Sequence, residues 1–244
     1  MSPIAATMAA MQLLTERREG AGPTWRADLA SESVRRVAAI TLASAAVVLL
    51  LYFFATDFLD TLTAEDDVVE YLTALGYLVA AVVFAVLAWR SSGRQRLWFV
   101  LLAVGFFLIA GEEVSWGQRL FGFGTPDELK RNNVQEELTL HNIEGVQNNV
   151  RLLGVLIFSG LFLVLPFLVD RPGRVSRLVE RFRIPVPPLW CAPIVLVGLA
   201  FMIIPRLDGS VVFSLDETGE LYLAVAVAAF GFALWRRLAA SKPS

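Results

Sequence analysis

A short run of residues, Gly-Glu-Glu-Val-Ser-Trp-Gly-Gln-Arg at positions 111–119, carries the side chains best suited to chemistry in this chain. It follows an apolar stretch that begins near Leu97, so Glu112 and Glu113 fall at or just inside a predicted membrane boundary. A charged side chain inside the bilayer costs about 2.5–3.5 kcal/mol on insertion scales and usually faces a bundle interior or a wet cavity. We therefore predict a site here, with Glu112, Glu113 and Ser115 as candidate catalytic residues.

The only histidine of the chain, His141, lies in a polar segment at 120–150. If this segment is helical, Glu137 and His141 are four residues apart on one face, a spacing that suits a metal ion or a carboxylate-oriented imidazole. The alternative is a loop histidine that only forms hydrogen bonds. We predict that His141 is a general acid or base and that Asn142 contacts substrate.

A divalent cation is the cofactor that these residues favour. The predicted ligands are Glu70, Glu113, Glu137 and His141. Oxygen ligands suit Mg²⁺ or Ca²⁺, whereas Zn²⁺ would find only one nitrogen ligand. Arg119 could hold an anionic head group, with Gln118 as a second substrate contact. A Ser115–His141–Glu triad is the competing arrangement.

Two further segments bring acids to the same predicted boundary. Asp67 and Glu70 begin one apolar segment, and Glu217 and Glu220 begin another. The members of each pair are three residues apart and therefore share a helix face. Acids at a helix N-terminus also interact favourably with the helix dipole, which explains one acid per helix more easily than a pair.

The elements that must position these residues are membrane-spanning helices. The composition is 56% hydrophobic and the mean hydropathy is +0.61, above the range of soluble domains. Segments of about 20 apolar residues can span a bilayer. Six such segments are predicted, at 37–56, 68–89, 97–116, 152–169, 188–205 and 218–235. The predicted fold is an all-α integral membrane bundle of six transmembrane helices.

The distribution of charge predicts the orientation of this bundle. Most of the 21 basic residues fall in the N-terminal segment, in the 90–96 and 170–187 loops and at the C-terminus. The positive-inside rule makes that side cytoplasmic, with both termini on it. We divide the chain into a polar tail at 1–36, a transmembrane domain at 37–237 with an ordered outer loop at 120–150, and a C-terminal tail at 238–244.

Several classes of protein are disfavoured by the composition. The single cysteine, Cys191, excludes an intrachain disulfide framework, and one histidine limits any metal site or triad. The chain also lacks a nucleic-acid-binding signature. The distribution of its basic residues is explained by the predicted membrane orientation.

Three motifs together resemble a group of uncharacterised bacterial polytopic membrane proteins. They are Glu65-Asp66 with Glu70-Tyr71-Leu72-Thr73-Ala74, the run 111–119, and Asn133-Val134-Gln135 with Glu137 and Leu140-His141-Asn142. The resemblance covers roughly residues 65–142. It implies that these polar positions belong together, in a protein of the bacterial inner membrane, and it implies no reaction or substrate.

Three functions compete on these observations. The first is a membrane-embedded, metal-dependent hydrolase or transferase that opens to the extracytoplasmic side and acts on a lipid or lipid-linked substrate. The second is a structural or assembly subunit of an envelope complex. The third is a cation or proton carrier, which predicts polar residues deeper along a path; the inner halves of the predicted spans hold almost no charge.

Overall fold

The computed structural model describes residues 30–64, 67–126, 139, 147–208 and 212–240. All regular structure in these residues is helical, and six helical stretches are long and apolar enough to cross a membrane. The predicted all-α bundle is thereby confirmed. The stretches are Glu32–Phe54, Val68–Trp89, Gly93–Glu113, Asn149–Val169, Leu189–Leu207 and Phe213–Ala239. The first of them begins inside the predicted polar tail.

In chain order the α-helices of this part of the chain are α1 (Glu32–Phe54), α2 (Thr56–Leu62), α3 (Val68–Trp89), α4 (Gly93–Glu113), α5 (Gln118–Phe121), α6 (Gln147–Phe158), α7 (Leu165–Val169), α8 (Arg174–Phe182), α9 (Ala192–Ile203) and α10 (Phe213–Ala240). A π-helical segment, Ser159–Val164, joins α6 to α7. Tight 3₁₀ turns occur at Ser115–Gly117, Leu189–Cys191 and Ile204–Asp208.

Local sequence explains where several of these helices begin or change form. Ser31 caps α1 by accepting a hydrogen bond from the Val34 backbone N–H at 3.3 Å. Asp67 caps α3, because its Oδ1 accepts from the Val68 N–H at 2.7 Å. The π-helical segment in the fourth span comes just before Pro166, whose nitrogen has no hydrogen to donate to the preceding turn. The hydrogen bond at the start of α3 gives Asp67 a structural role.

Helix α3 is the central helix of the bundle. It packs against α4 on one side and α10 on the other, while α10 in turn packs against α9 and α9 against α1. The fourth span contacts α9 through its π-helical segment. This order brings the beginnings of α3 and α10 beside the end of α4, the three segments that carry the predicted acids.

Aromatic side chains fill the interior of the bundle. Phe84, Phe99, Phe162 and Phe230 are fully or almost fully buried, and the Phe84 ring lies 5.6 Å from the Phe230 ring and 6.1 Å from the Phe99 ring. The Phe162 ring is 5.8 Å from that of Phe230. The four rings come from four different spans and pack against one another in the interior.

Small residues let α10 approach both of its neighbours closely. A Cβ atom added at Gly76 of α3 would lie 3.0 Å from the Cβ of Ala224, and one added at Gly198 of α9 would lie 2.8 Å from the Gly219 carbonyl oxygen. Small residues are the usual means of close helix contact in membranes. Because Gly219 lies between Glu217 and Glu220, this contact fixes the acidic first turns of α10 against the bundle.

Candidate functional site

The run 111–119 does not continue as a regular helix. Helix α4 ends at Glu113, and Ser115, Trp116 and Gly117 have φ values of 47°, 55° and 76° in the left-handed region. The sequence spacing of Glu112, Ser115 and Arg119 would place them on one face of a continuous helix, but the helix is broken after Glu113 and this relation does not hold. Successive left-handed residues interrupt a right-handed helix, so the spacing of a regular helix no longer applies after Glu113.

At this left-handed turn the Trp116 side chain lies back over the end of α4. Its indole N–H donates a hydrogen bond to Glu112 Oε1 at 2.8 Å, and its ring lies 6.3 Å from the Phe107 ring in an edge-to-face arrangement. A Cβ atom added at Gly111 would lie 2.8 Å from Cε3 and Cζ3 of the Trp116 ring. Gly111, Glu112 and Trp116 thus form one structural unit that closes the helix.

Gln118 also has a structural partner within the described residues. Its side-chain amide donates to Thr125 Oγ1 at 2.6 Å and so bridges α5 to the segment that follows it. Ser115 is 3% exposed and belongs to the left-handed turn at Ser115–Gly117. The predicted roles of Gln118 in substrate binding and of Ser115 in catalysis stay predictions.

Glu113 differs from its neighbour Glu112, because its carboxyl group lies among other acids. The charges that act on it come from Glu220, Glu217, Glu70 and Glu112. These five glutamates, which we call the acidic cluster, are all partly buried and lie on α3, α4 and α10 at one end of the bundle. The cluster places together the acids that the sequence predicted at three helix ends.

Nothing of opposite charge in the described residues forms an ion pair with Glu113. Several like charges in partly buried positions repel one another strongly, since the effective dielectric constant there is below that of water. A proton, a neighbouring cationic group or a bound cation can offset such repulsion. Within the run 111–119, Glu113 is the residue on which the acids of α3 and α10 act.

Two uncharged polar groups extend the cluster inward along α3. Tyr77 is 4% exposed and interacts electrostatically with Glu113 and Glu220. Thr73, fully buried, lies between Glu70 and Tyr77 at the spacing of one helix face, and its Oγ1 has no hydrogen-bond partner in the described residues. The sequence motif Glu70–Ala74 included Thr73 without giving it a role and missed Tyr77, although Glu70, Thr73 and Tyr77 follow an i, i+3, i+7 pattern that could have revealed both.

A second group of charges lies one turn before Glu220 on α10. The buried Asp216 accepts two hydrogen bonds from Arg206, at 2.6 Å for each oxygen, and its Oδ2 lies 2.7 Å from Arg151 Nη1. Arg206 also donates to the Met202 carbonyl. Arg151, the second arginine at Asp216, therefore has a structural partner within the described residues. This triad joins α6, the turn Ile204–Asp208 and α10.

The remaining predicted residues lie outside the described part of the chain. Glu137, His141 and Asn142 belong to the undescribed segment, as does the helix predicted after Pro126, and the side chain of Arg119 is likewise not described. Among the described residues, no group of three or more His, Cys, Asp or Glu side chains is arranged to hold a metal ion.

The fold and the cluster define a class: a multi-pass α-helical membrane protein with partly buried acids at one end of its bundle. Comparison of the chain with protein-family models, with curated proteins and with solved structures found no match.

Proposed function

We propose that this chain is a membrane-embedded enzyme, a metal-dependent hydrolase or transferase that acts on a lipid or lipid-linked substrate. The observation that carries the proposal is the position of Glu113 among four other glutamates from three helices, with no ion pair inside the described residues. A divalent cation bound there would offset the repulsion and polarise a substrate oxygen. Glu113 and Glu70 are the described ligands of our proposed set, and Glu137 and His141 complete it.

The arrangement of the described acids favours one kind of cation. Mg²⁺ is commonly bound by one or two carboxylates, keeps several waters and takes further ligands from substrate phosphates. Glu70 and Glu113 can supply two such carboxylates, whereas His141 of the proposed set would suit Zn²⁺ better than Mg²⁺. The use of phosphate ligands by Mg²⁺ supports a substrate that carries phosphate, with Arg119 as a contact for the head group.

The interior of the bundle supports an enzyme over a carrier. The polar groups that follow Glu70 inward end at Tyr77, whose ring packs 6.1 Å from the Phe106 ring. Beyond it lie Phe84 and its aromatic neighbours, which are fully buried and carry no polar group. A cation or proton path would need polar groups or water at that depth, so we rank the carrier below a site that opens at one end.

The membrane and the orientation are part of the proposal. The resemblance to bacterial polytopic proteins favours the bacterial cytoplasmic membrane. The positive-inside rule predicts that the acidic cluster lies on the extracytoplasmic side. In a Cys191→Ala background, an impermeant thiol reagent should then label Ala64→Cys but not Arg90→Cys in intact cells. If only Arg90→Cys were labelled, the protein would have the opposite orientation, with the acidic cluster on the cytoplasmic side.

The function itself is tested with purified full-length protein in liposomes of total bacterial membrane lipid, supplied with Mg²⁺, Ca²⁺ or Zn²⁺ in turn. Mass spectrometry of the lipids should show a new or depleted species for the wild type. Glu113→Gln should abolish that change, whereas Glu180→Gln, at an exposed acid of α8, should leave it intact. An unchanged lipid profile for the wild type with each cation would refute a lipid hydrolase or transferase.

A further inference from the structure

Helix α8 has a strongly segregated surface at the end of the bundle opposite the acidic cluster. It connects the span that ends at Val169 to the one that begins at Leu189, so it lies at the membrane boundary where α4 starts. Arg174, Arg177 and Arg181 follow i, i+3, i+7 spacing on one face, and all three are exposed. Such a helix is suited to lie in the plane of a membrane interface.

Apolar side chains border this basic face. Leu178 and Phe182 are four residues apart, with exposed fractions of 49% and 43%. Val175 and Val179 lie on the same apolar side and are partly buried. The helix therefore presents a basic strip and an apolar strip side by side, which matches the phosphate and acyl regions of a lipid leaflet.

The position of α8 is fixed by bonds to the first turns of α4. Arg94 Nη1 donates to the Arg181 carbonyl at 2.7 Å, and Trp98 Nε1 donates to the Phe182 carbonyl at 2.9 Å. The guanidinium carbons of Arg94 and Arg181 each lie 5.7 Å from the centre of the Phe182 ring. At the other end, Ser176 Oγ accepts from the Gly173 N–H at 3.0 Å. The basic strip is thus held in place before any ligand binds.

We propose that α8 and the start of α4 form a binding surface for anionic phospholipid. Arg177 and Arg181 contact the lipid phosphate together with Arg94, and Leu178 and Phe182 insert among the upper acyl carbons. Charge complementarity identifies this occupant, because three arginines of α8 face the boundary and Glu180 is the one acid in the helix. The proposal does not depend on the function of the acidic cluster.

The test uses the full chain reconstituted in vesicles of equimolar phosphatidylglycerol and phosphatidylcholine, then extracted in mild detergent. Mass spectrometry measures the ratio of the two lipids that remain bound. We expect the wild type to enrich phosphatidylglycerol at least about threefold, and the double variant Arg177→Gln, Arg181→Gln to return the ratio close to that of the vesicle.

The matched control is the double variant Arg236→Gln, Arg237→Gln, which removes the same charge from exposed positions at the end of α10, on the same side of the bundle. It should keep the wild-type ratio. Because Arg181 contacts the Phe182 ring, a second variant, Arg174→Gln with Arg177→Gln, separates loss of charge from local unfolding, and it too should lower the ratio. No enrichment by the wild type, or an equal loss in the control, would overturn the proposal.

Discussion

Two acidic sites lie within one turn of each other on α10, and they are built in opposite ways. Asp216 is held by two arginines at 2.6–2.7 Å and is 3% exposed. Glu220, one turn further on, lies instead in a cluster of glutamates around Glu113. The first acid is paired with arginine, whereas Glu113, at the centre of the second, forms no ion pair within the described residues. The same helix thus carries a structural ion pair and a candidate site.

The two glutamates of the run 111–119 repeat this contrast at closer range. Glu112 accepts the indole N–H of Trp116 and stabilises the end of α4. Glu113 faces the other acids. Adjacent residues with the same side chain therefore have different roles, and substitutions can separate them.

The largest expected effect is the loss of the structural ion pair. Asp216→Asn leaves two partly buried guanidinium groups without their carboxylate, so we expect the free energy of unfolding to fall by about 3 kcal/mol or more. Thermal unfolding of the full chain in detergent measures this change. Asp60→Asn, at an exposed position of α2, should change stability by less than about 0.5 kcal/mol. If the two variants were equally stable, the ion pairs of Asp216 would not have the structural role proposed for them.

A smaller loss is expected from Gly111→Ala. The added methyl group would meet the Trp116 ring at 2.8 Å, displace it and weaken its hydrogen bond to Glu112, for a cost of about 1–3 kcal/mol. Gly105 lies in the same helix with open space around its Cα, so Gly105→Ala should be neutral or stabilise by up to about 1 kcal/mol. If both alanine variants behaved alike in thermal unfolding, the packing of Trp116 on Gly111 would not stabilise the end of α4.

The smallest expected effect on stability has the opposite sign. Glu113→Gln removes one charge from a group of like charges, so we expect the protein without added cation to become more stable by about 1 kcal/mol. Chemical denaturation in the presence of a chelator measures the difference from wild type. A loss of stability would mean that Glu113 has a structural role like that of Asp216.

The six spans could be predicted from sequence because length and apolar composition alone decide whether a helix can cross a bilayer. The end of α4 could not. Ser115 and Trp116 adopt left-handed backbone angles that non-glycine residues rarely take, and these angles accompany the packing of the Trp116 ring on Gly111. The local pattern of residues gives no sign of such a tertiary contact.

The candidate site shows the same division. The acids at the ends of α3, α4 and α10 could be assigned to one side from the order of the spans, and the structure brings them together. The pairing of Asp216 with Arg151 could not be predicted, because it joins two helices whose separation depends on how the bundle packs. The sequence therefore indicated which acids meet and left open which of them are neutralised by arginine.

Binding of a divalent cation by the purified full chain decides whether the acidic cluster is a cation site. Equilibrium dialysis with Mg²⁺, Ca²⁺ and Zn²⁺ should give saturable, stoichiometric binding of one of them to the wild type. Glu113→Gln should weaken that binding by at least about tenfold, the equivalent of 1.4 kcal/mol, and Glu180→Gln should not. Absence of saturable binding by the wild type, or equal affinity in Glu113→Gln, would contradict the account.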